Sequence, residues 1–305
     1  MSEGFRSGFV TLVGRPNTGK STLVNALVGQ KIAAVTPHPQ TTRTHLLGIV
    51  NAPQGQAVLV DTPGVHRGRG LLDRKMARSV REGLEGRDLS LFLVDAARAW
   101  GAEDEMALEL ARSGQPAPPA FLVINKIDRL ARRDAILPII AALRDKREFA
   151  EVVPISALRR ENLDELLRLI WQALPEGPAY YPADQPSDQP EQFWITEIIR
   201  EQAMLATKEE IPHALAVRIE ADRMRRSQGQ PLRVIEAVLV CERAGQKAML
   251  IGREGTMIQR IGSGARQQLE ASLGTRLLLR LEVVVRSEWR QDREAVANLD
   301  FRRMV

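Results

Sequence analysis

The fold is decided at Gly14-Arg15-Pro16-Asn17-Thr18-Gly19-Lys20-Ser21, which joins an apolar run at residues 9–13 to a helical pattern at 22–27. The spacing G-x-x-x-x-G-K-S between a strand and a helix is typical of a phosphate-binding loop. Glycines let backbone N–H groups close around phosphate oxygens, and the helix N-terminus favours negative charge. Lys20 adds a full positive charge, and the Ser21 hydroxyl suits Mg²⁺. The segment predicts a nucleotide site in an α/β domain.

Composition narrows the class of protein. A chain of 305 residues with 27% charged residues favours two globular domains. No apolar run approaches the roughly 20 residues that span a bilayer, and residues 1–6 show no secretion signal. A single cysteine, Cys241, and four scattered histidines predict neither a disulfide nor a metal site. We therefore expect a cytoplasmic protein, and its formal net charge of +5 allows a polyanionic partner.

Further apolar runs predict the rest of the first domain. They lie at residues 44–51, 56–60, 89–95, 120–125 and 152–155. The first two flank a turn-rich connector and indicate a hairpin. The others alternate with helical patterns, which predicts a mixed, mostly parallel sheet flanked by helices. Ligands of such sheets bind at the carboxyl ends of the strands, where the polar motifs of this chain fall.

Asp61-Thr62-Pro63-Gly64 follows the second strand of the predicted hairpin. A carboxylate at a strand end suits the ligand shell of Mg²⁺, and the Gly64 N–H suits a γ-phosphate. The same four residues are also an ordinary turn sequence, so the motif counts only together with the others.

Asn125-Lys126-Ile127-Asp128 follows the strand at 120–125 and predicts the base. The Asp128 carboxylate can accept the two adjacent N–H donors of guanine, which adenine lacks, so such a site rejects adenine strongly. Asn125 is expected to brace the loop, and the Lys126 stem to cover the base. Ser156-Ala157, after the last strand, offers backbone N–H groups to the guanine carbonyl.

The order and spacing of these motifs resemble the translation-factor-related GTPases. The resemblance implies GTP and GDP as ligands and places the first switch at Gln40-Thr41-Thr42-Arg43. Within it, Thr42 is expected to touch Mg²⁺ and the γ-phosphate, with Thr41 as the alternative. Together with Ser21 and Asp61, Thr42 would complete the Mg²⁺ site.

The hydrolytic group is less apparent from the sequence. Val65 stands where Ras-like enzymes carry the glutamine that orients water. The resemblance implies that Asn17 helps to bind K⁺ in GTPases with an apolar residue there, and an equal alternative is that Asn17 stabilises the loop turn. We expect slow hydrolysis, faster in K⁺ than in Na⁺. Residues 65–78 are expected to contain a mobile switch segment, with hinges at Gly68 and Gly70, and then a helix.

The remaining chain predicts a linker and a second domain. An amphipathic helix ends near Pro175, so we divide the chain into a GTPase domain (1–175), a proline-rich linker (176–190) and a C-terminal domain (191–305). In the last, helical patterns lie at 191–206 and after residue 256, strands at 214–220, 232–241 and 277–285, and a C-terminal helix follows.

This order, with Gly252-Arg253-Glu254-Gly255 between two helices, resembles an α+β type II KH domain. There the G-x-x-G loop clamps the backbone of about four nucleotides of single-stranded RNA. Arg260, on the helix after the loop, adds positive charge. Glu254 departs from the pattern, since a basic or small residue suits phosphates better.

Nearly the whole chain resembles the Era family of bacterial ribosome-assembly GTPases. The resemblance implies binding of the 3′ end of 16S rRNA on the 30S subunit, with nucleotide state controlling access to RNA. The family can also associate peripherally with the inner membrane, for which the basic charge of this chain is the supporting feature. We expect a monomer that binds RNA rather than DNA. Three alternatives stay open: a signalling GTPase whose C-terminal module binds protein, a non-enzymatic RNA-binding module with a structural nucleotide, and an ATPase.

Overall fold

The computed structural model describes residues 4–65, 70–113, 118–144, 146, 148–207 and 211–297, without the side chains of residues 144, 212, 213, 294 and 297. Within this part, contacts between residues group the chain into two units. Of the described residues, those up to 33, from 42 to 65 and from 73 to 188 form the first unit, and those from 34 to 41, from 70 to 72 and from 189 onward form the second. No helix of the described residues is long and apolar enough to cross a membrane.

The chain up to residue 173 alternates strands and helices. Its elements are β1 (Arg6–Val13), α1 (Lys20–Val28), β2 (Leu46–Ala52), β3 (Gly55–Asp61), α2 (Leu71–Glu82), β4 (Leu89–Asp95), α3 (Ala102–Ala111), β5 (Ala120–Asn125), α4 (Leu137–Arg144), β6 (Glu151–Pro154) and α5 (Leu163–Ala173). The strands form one sheet in the order β2-β3-β1-β4-β5-β6. Only the β2–β3 hairpin pairs antiparallel among the described strands of this sheet. The predicted mixed, mostly parallel sheet is confirmed.

Burial explains why these strands read as continuous apolar runs. β3, β4 and β5 are buried along their whole length, as expected for strands covered by helices on both faces. Since β1, β3, β4 and β5 are parallel, their carboxyl ends lie at one edge of the sheet. Asp61, Asp95 and Asn125 end β3, β4 and β5, and the loop after Val13 joins them there.

The segment 176–188, predicted as part of the linker, packs on strands of the first unit. The Gln56 side-chain oxygen accepts hydrogen bonds from the N–H groups of Tyr180 (2.7 Å) and Tyr181 (2.9 Å). The Tyr180 ring lies 4.9 Å from that of Phe9, centroid to centroid. The N–H of Ile49, in β2, donates to the carbonyl of residue 186 at 2.9 Å. The edge strand β2 is thus partly covered by this segment, which limits pairing with other chains.

The second unit is an α+β domain. Its elements are α6 (Glu191–Ala206), α7 (Ile211–Ala214), β7 (Ala216–Ser227), β8 (Gln230–Cys241), α8 (Ala244–Ile251), α9 (Thr256–Leu273), β9 (Leu277–Val285) and α10 (Arg293–Ala297). The sheet order is β7-β8-β9, with β7–β8 antiparallel and β8–β9 parallel. Ile198, Ile199, Leu239 and Ile261 belong to the core between α6, α9 and the sheet.

The β7–β8 hairpin is longer than the sequence pattern predicts. Ser227 pairs with Gln230, so Gln228 and Gly229 alone form the turn. Both have positive φ angles, 52° and 79°, as a two-residue turn of the type that matches strand twist requires.

Candidate functional site

The loop at residues 14–21 connects β1 to α1 and folds around its own lysine. Lys20 is buried, and its Nζ donates to the carbonyls of Gly14 (2.9 Å) and Arg15 (3.0 Å). Burial lowers the pKa of Lys20 to about 8. Gly19 has a φ of 97°, and a Cβ there would lie 2.3 Å from the Asn125 amide nitrogen, so this position needs glycine. The loop therefore carries a buried cationic group at the N-terminus of α1.

Three oxygen-bearing side chains meet beside this lysine. The Ser21 hydroxyl donates to Asp61 Oδ2 at 2.6 Å, and the Thr42 hydroxyl lies 2.8 Å from that of Ser21. Asp61 is fully buried, and its Oδ1 has no hydrogen-bond partner within the described residues. Burial raises the pKa of Asp61 to about 6, opposed by the Ser21 hydrogen bond and by the charge of Lys20. An unused carboxylate oxygen beside two hydroxyls fits a hard divalent cation such as Mg²⁺.

The structure separates the two switch threonines. Thr42 groups with the first unit and reaches Ser21 and Asp61, whereas Thr41 groups with the second unit. The Thr41 hydroxyl donates to the carbonyl of His38 at 2.8 Å, and its carbonyl accepts a hydrogen bond from Arg200 in α6. Of the two candidates, only Thr42 lies with the other oxygen groups.

Asn125 ties together three segments of the candidate base site. Its Nδ2 donates to the Thr18 carbonyl at 2.8 Å, and its Oδ1 accepts from the N–H groups of Lys126 (2.8 Å) and Ala157 (3.0 Å). One amide therefore joins the phosphate loop, the end of β5 and the loop after β6. These contacts are of the kind that the expected bracing role requires.

A short 3-10 turn, Ile127–Arg129, follows β5; Lys126 precedes it and Asp128 lies within it. Lys126 has a φ of 67°, and its Nζ lies 2.7 Å from Asp95 Oδ2 and donates to the Asn17 carbonyl. The Asp128 carboxylate accepts a hydrogen bond from the Ser156 hydroxyl at 2.6 Å. The lysine is thus anchored across the phosphate loop, and the carboxylate is oriented by the loop after β6.

The backbone of Ser156-Ala157 is engaged within the protein. The Ser156 N–H donates to the Glu161 carbonyl at 3.2 Å, and the Ala157 N–H donates to Asn125. Their contact with a guanine carbonyl therefore stays a prediction.

The segment after β3 packs directly on the phosphate loop. A Cβ on Gly64 would lie 2.6 Å from Pro16 Cα, so no larger residue fits against this backbone. The Thr62 hydroxyl donates to the Leu12 carbonyl at 2.7 Å, and Pro63 is buried in the same turn. Val65 is buried in an apolar cluster. Residues 66–69, with the predicted hinge at Gly68, lie outside the described residues, and α2 follows.

The G-x-x-G motif forms the turn between α8 and α9. Gly252, Glu254 and Gly255 have φ angles of 73°, 52° and 78°. A Cβ on Gly252 would lie 2.7 Å from Met257 Cβ, which explains the first glycine. Arg253, Glu254 and, one turn along α9, Arg260 are exposed. The turn thus presents backbone and charged side chains at the N-terminus of an 18-residue helix.

Asp95 and Asp104 each bind a basic residue of the site, and neither is among the site residues predicted from the sequence. Asp95 binds Lys126, and Asp104 in α3 lies 2.7 Å from Arg15 Nη1. A signal for Asp95 was present, because it ends a buried strand as Asp61 does. No local signal marks Asp104, which lies 89 positions from its partner.

Comparison with known proteins gives one family match in the N-terminal part of the chain and one in the C-terminal part. Residues 9–126 match the family model of the 50S ribosome-binding GTPase, and residues 210–290 match that of the KH domain. GTPase Era of Heliobacterium modesticaldum is 41% identical over 299 residues, covering 98% of each chain. The chain belongs to the Era family of GTPases. The predicted GTPase activity, and the predicted order of a P-loop GTPase domain and a KH domain, are thereby confirmed.

Solved Era structures share the fold over nearly the whole length. A point variant of Aquifex aeolicus Era bound to GDP and AlF4⁻ has a TM-score of 0.93 and 36% identity, covering 97% of this chain and 99% of its own. Era in complex with MgGDPNP and nucleotides 1506–1542 of 16S ribosomal RNA has a TM-score of 0.92 and 37% identity, with the same coverage.

Proposed function

We propose that this GTPase acts in assembly of the small ribosomal subunit by binding the 3′ end of 16S rRNA, and the 30S subunit, through its KH domain. The observation that carries the proposal is that one chain contains both the Ser21–Asp61 oxygen cluster and a G-x-x-G turn with exposed charged side chains. It is supported by the Era structure that contains MgGDPNP and a 16S rRNA fragment.

The phosphate loop at 14–21 would hold the phosphates of GTP. Backbone N–H groups, the α1 N-terminus and Lys20 supply positive potential. Ser21, Thr42 and Asp61 would hold Mg²⁺, which neutralises charge on the β- and γ-phosphates when bound. The unpartnered Asp61 Oδ1 supports this assignment. The Gly64 N–H, at the start of the second switch, would meet the γ-phosphate.

The guanine base would be read by Asp128, with its carboxylate held by Ser156. Asn125 braces the loops around the base, and the Lys126 stem would cover it. Since a carboxylate selects the paired N–H donors of guanine, adenine nucleotides would leave it unsatisfied.

Hydrolysis in this chain would be slow, because Val65 is apolar and cannot orient water. Asn17 would help to bind K⁺ near the β- and γ-phosphates. Its left-handed conformation, φ 63°, places it at the turn of the loop, and a carbonyl-type oxygen such as that of its amide suits K⁺. A cation there would add positive charge without positioning the water.

RNA would bind at Gly252-Arg253-Glu254-Gly255, with Arg260 contributing a phosphate contact. The glycines allow the backbone to approach the RNA phosphates. Binding should weaken as the salt concentration rises, since phosphate contacts release counterions.

Nucleotide state would control RNA access through the first switch. Residues 34–41 group with the second unit, where the Val35 N–H donates to Glu201 at 3.1 Å and Arg200 donates to the Thr41 carbonyl. Both charged residues are buried in α6. The next residue, Thr42, carries the proposed Mg²⁺ contact. If GTP and Mg²⁺ fix the position of Thr42, they would therefore also restrain the adjoining residues 34–41, which are hydrogen-bonded to α6.

We further propose that the protein is a cytoplasmic monomer that associates peripherally with the cytoplasmic face of the inner membrane. The formal net charge of +5 is the observation that supports attraction to an anionic surface.

The test is crosslinking of the full-length protein to total RNA, with a GTP analogue or GDP, followed by mapping of the bound sequence. We expect reads at the 3′ end of 16S rRNA that depend on the nucleotide and are lost in Arg253→Glu. Arg112→Glu, at an exposed position at the end of α3, is the matched control because it makes the same charge reversal. Reads spread evenly over all RNA, in both nucleotide states, would contradict the proposal.

A further inference from the structure

Arg15 has a role beyond its place in the phosphate loop. Its side chain is only 8% exposed, and Nη1 donates to Asp104 Oδ2 at 2.7 Å and to the Ala99 carbonyl at 3.0 Å. The loop backbone is therefore linked, through one guanidinium, to the start of α3. A surface arginine would not be held this way.

Asp104 is fixed from its own side as well. It is buried, and its Oδ2 also accepts the Gly101 N–H at 3.0 Å, which caps α3. Burial raises the pKa of the Asp104 carboxyl, and the charge of Arg15 opposes that rise. Because the carboxylate belongs to a helix terminus, it offers the guanidinium a rigid anchor.

The backbone at Arg15 and beside it supports two groups that are proposed to contact the phosphates, Lys20 and Gly64. Its carbonyl accepts a hydrogen bond from Lys20 Nζ at 3.0 Å. The next residue, Pro16, contacts Gly64, and the Val65 N–H donates to the Gly14 carbonyl at 3.3 Å. Displacement of this part of the loop would therefore move Lys20 and the start of the second switch together.

We propose that Arg15 and Asp104 are positioning residues that set the preference of the site for GTP over GDP. GDP lacks the γ-phosphate, so it would not depend on the alignment of Gly64 with the loop. GTP would depend on it. This preference rests on the proposed roles of Lys20 and Gly64 at the γ-phosphate.

A purely structural ion pair leads to a different expectation. Removing one partner of a buried pair leaves the other charge uncompensated, which destabilises the folded protein. That loss would weaken the binding of both nucleotides by the same factor. The ratio of the affinities for GDPNP and GDP, measured in one variant, therefore distinguishes a positioning role from a purely structural one.

The test uses the full-length protein with Asp104→Asn, whose amide oxygen can still accept the Gly101 N–H, and with Arg15→Lys. Dissociation constants for GDPNP and GDP are measured by competition with a fluorescent nucleotide at saturating Mg²⁺. Arg112→Ala is the control, because its exposed ion pair with Glu109 lies at the far end of the same helix. Melting of the nucleotide-free proteins reports stability separately.

We expect the ratio of the GDPNP constant to the GDP constant to rise about tenfold in Asp104→Asn, because the guanidinium loses its charged partner and their hydrogen bond loses its charge assistance. Arg15→Lys should give a smaller rise, and Arg112→Ala none. Equal changes for both nucleotides in Asp104→Asn, or in Arg15→Lys should Asp104→Asn not fold, would overturn the inference. Failure of the unaltered protein to bind either nucleotide would instead contradict the proposed function.

Discussion

The Lys126 ammonium lies 2.7 Å from the carboxylate of Asp95, at the ends of adjacent parallel strands. Asp95 is almost fully buried and Lys126 is partly exposed, so the carboxylate lies in the protein interior while part of the lysine side chain is accessible to solvent. The same ammonium donates to the Asn17 carbonyl. This geometry fixes the lysine stem where the guanine base is proposed to lie.

Asp95→Asn should weaken binding of GDP and GTP about tenfold or more, because the ammonium loses a charge-assisted hydrogen bond of about 1.5–3 kcal/mol. The amide oxygen can still accept the Ala97 N–H, so the turn after β4 is kept. Nucleotide dissociation rates provide the measurement. Asp134→Asn, in an exposed ion pair with Arg132, should leave them unchanged. Unaltered rates in Asp95→Asn would argue against a positioning role for this pair.

Asp128→Asn should reverse the base preference of the site. An amide presents a donor where guanine needs an acceptor, so affinity for GTP should fall by several powers of ten while xanthosine triphosphate gains. Competition binding with GTP, xanthosine triphosphate and ATP measures the change. Equal losses for guanine and xanthine nucleotides would show that Asp128 does not read the base.

Asn17→Gly should abolish stimulation by K⁺. Glycine accepts the left-handed conformation of this residue, φ 63°, so the substitution removes the amide without straining the turn. Steady-state GTP hydrolysis is compared in KCl and NaCl at matched ionic strength. The unaltered protein should be faster in K⁺, and the variant equal in both salts. Equal rates in the unaltered protein would remove Asn17 from this role.

Glu254→Asn should tighten RNA binding. The substitution removes a negative charge from an exposed turn, and asparagine tolerates the positive φ of 52° found there. Affinity for a single-stranded RNA is measured across a salt series. We expect a gain that is largest at low salt, because the charge repels RNA phosphates. Glu109→Gln, an exposed carboxylate on α3, is the control, and a gain of the same size there would rule out a local effect.

Elements whose signals are local can be predicted from the sequence. The helix at 191–206 has the predicted bounds, since Pro190 precedes it and an apolar periodicity runs through it. The phosphate loop is recognisable because its glycines and lysine act within eight residues. β4 and β5 match short apolar runs, which parallel strands buried on both faces require.

Elements that depend on distant partners cannot be predicted in this way. The β7–β8 hairpin extends beyond the predicted strand through polar residues such as Asp222 and Arg223, which lack an apolar alternation. They are held by cross-strand ion pairs with Arg233 and Glu236, respectively. The pairing of Arg15 with Asp104 and the binding of residues 34–41 to α6 join segments far apart in the chain. Neither periodicity nor motif spacing carries that information.

Control of RNA affinity by the bound nucleotide is the central property proposed for this protein. Its most direct test is the dissociation constant of the full-length protein for an RNA with the 3′-terminal sequence of 16S rRNA, measured with GDPNP and with GDP at one salt and Mg²⁺ concentration. We predict binding on the order of tenfold tighter with GDPNP, a typical coupling between two sites. Equal constants in the two nucleotide states would contradict it.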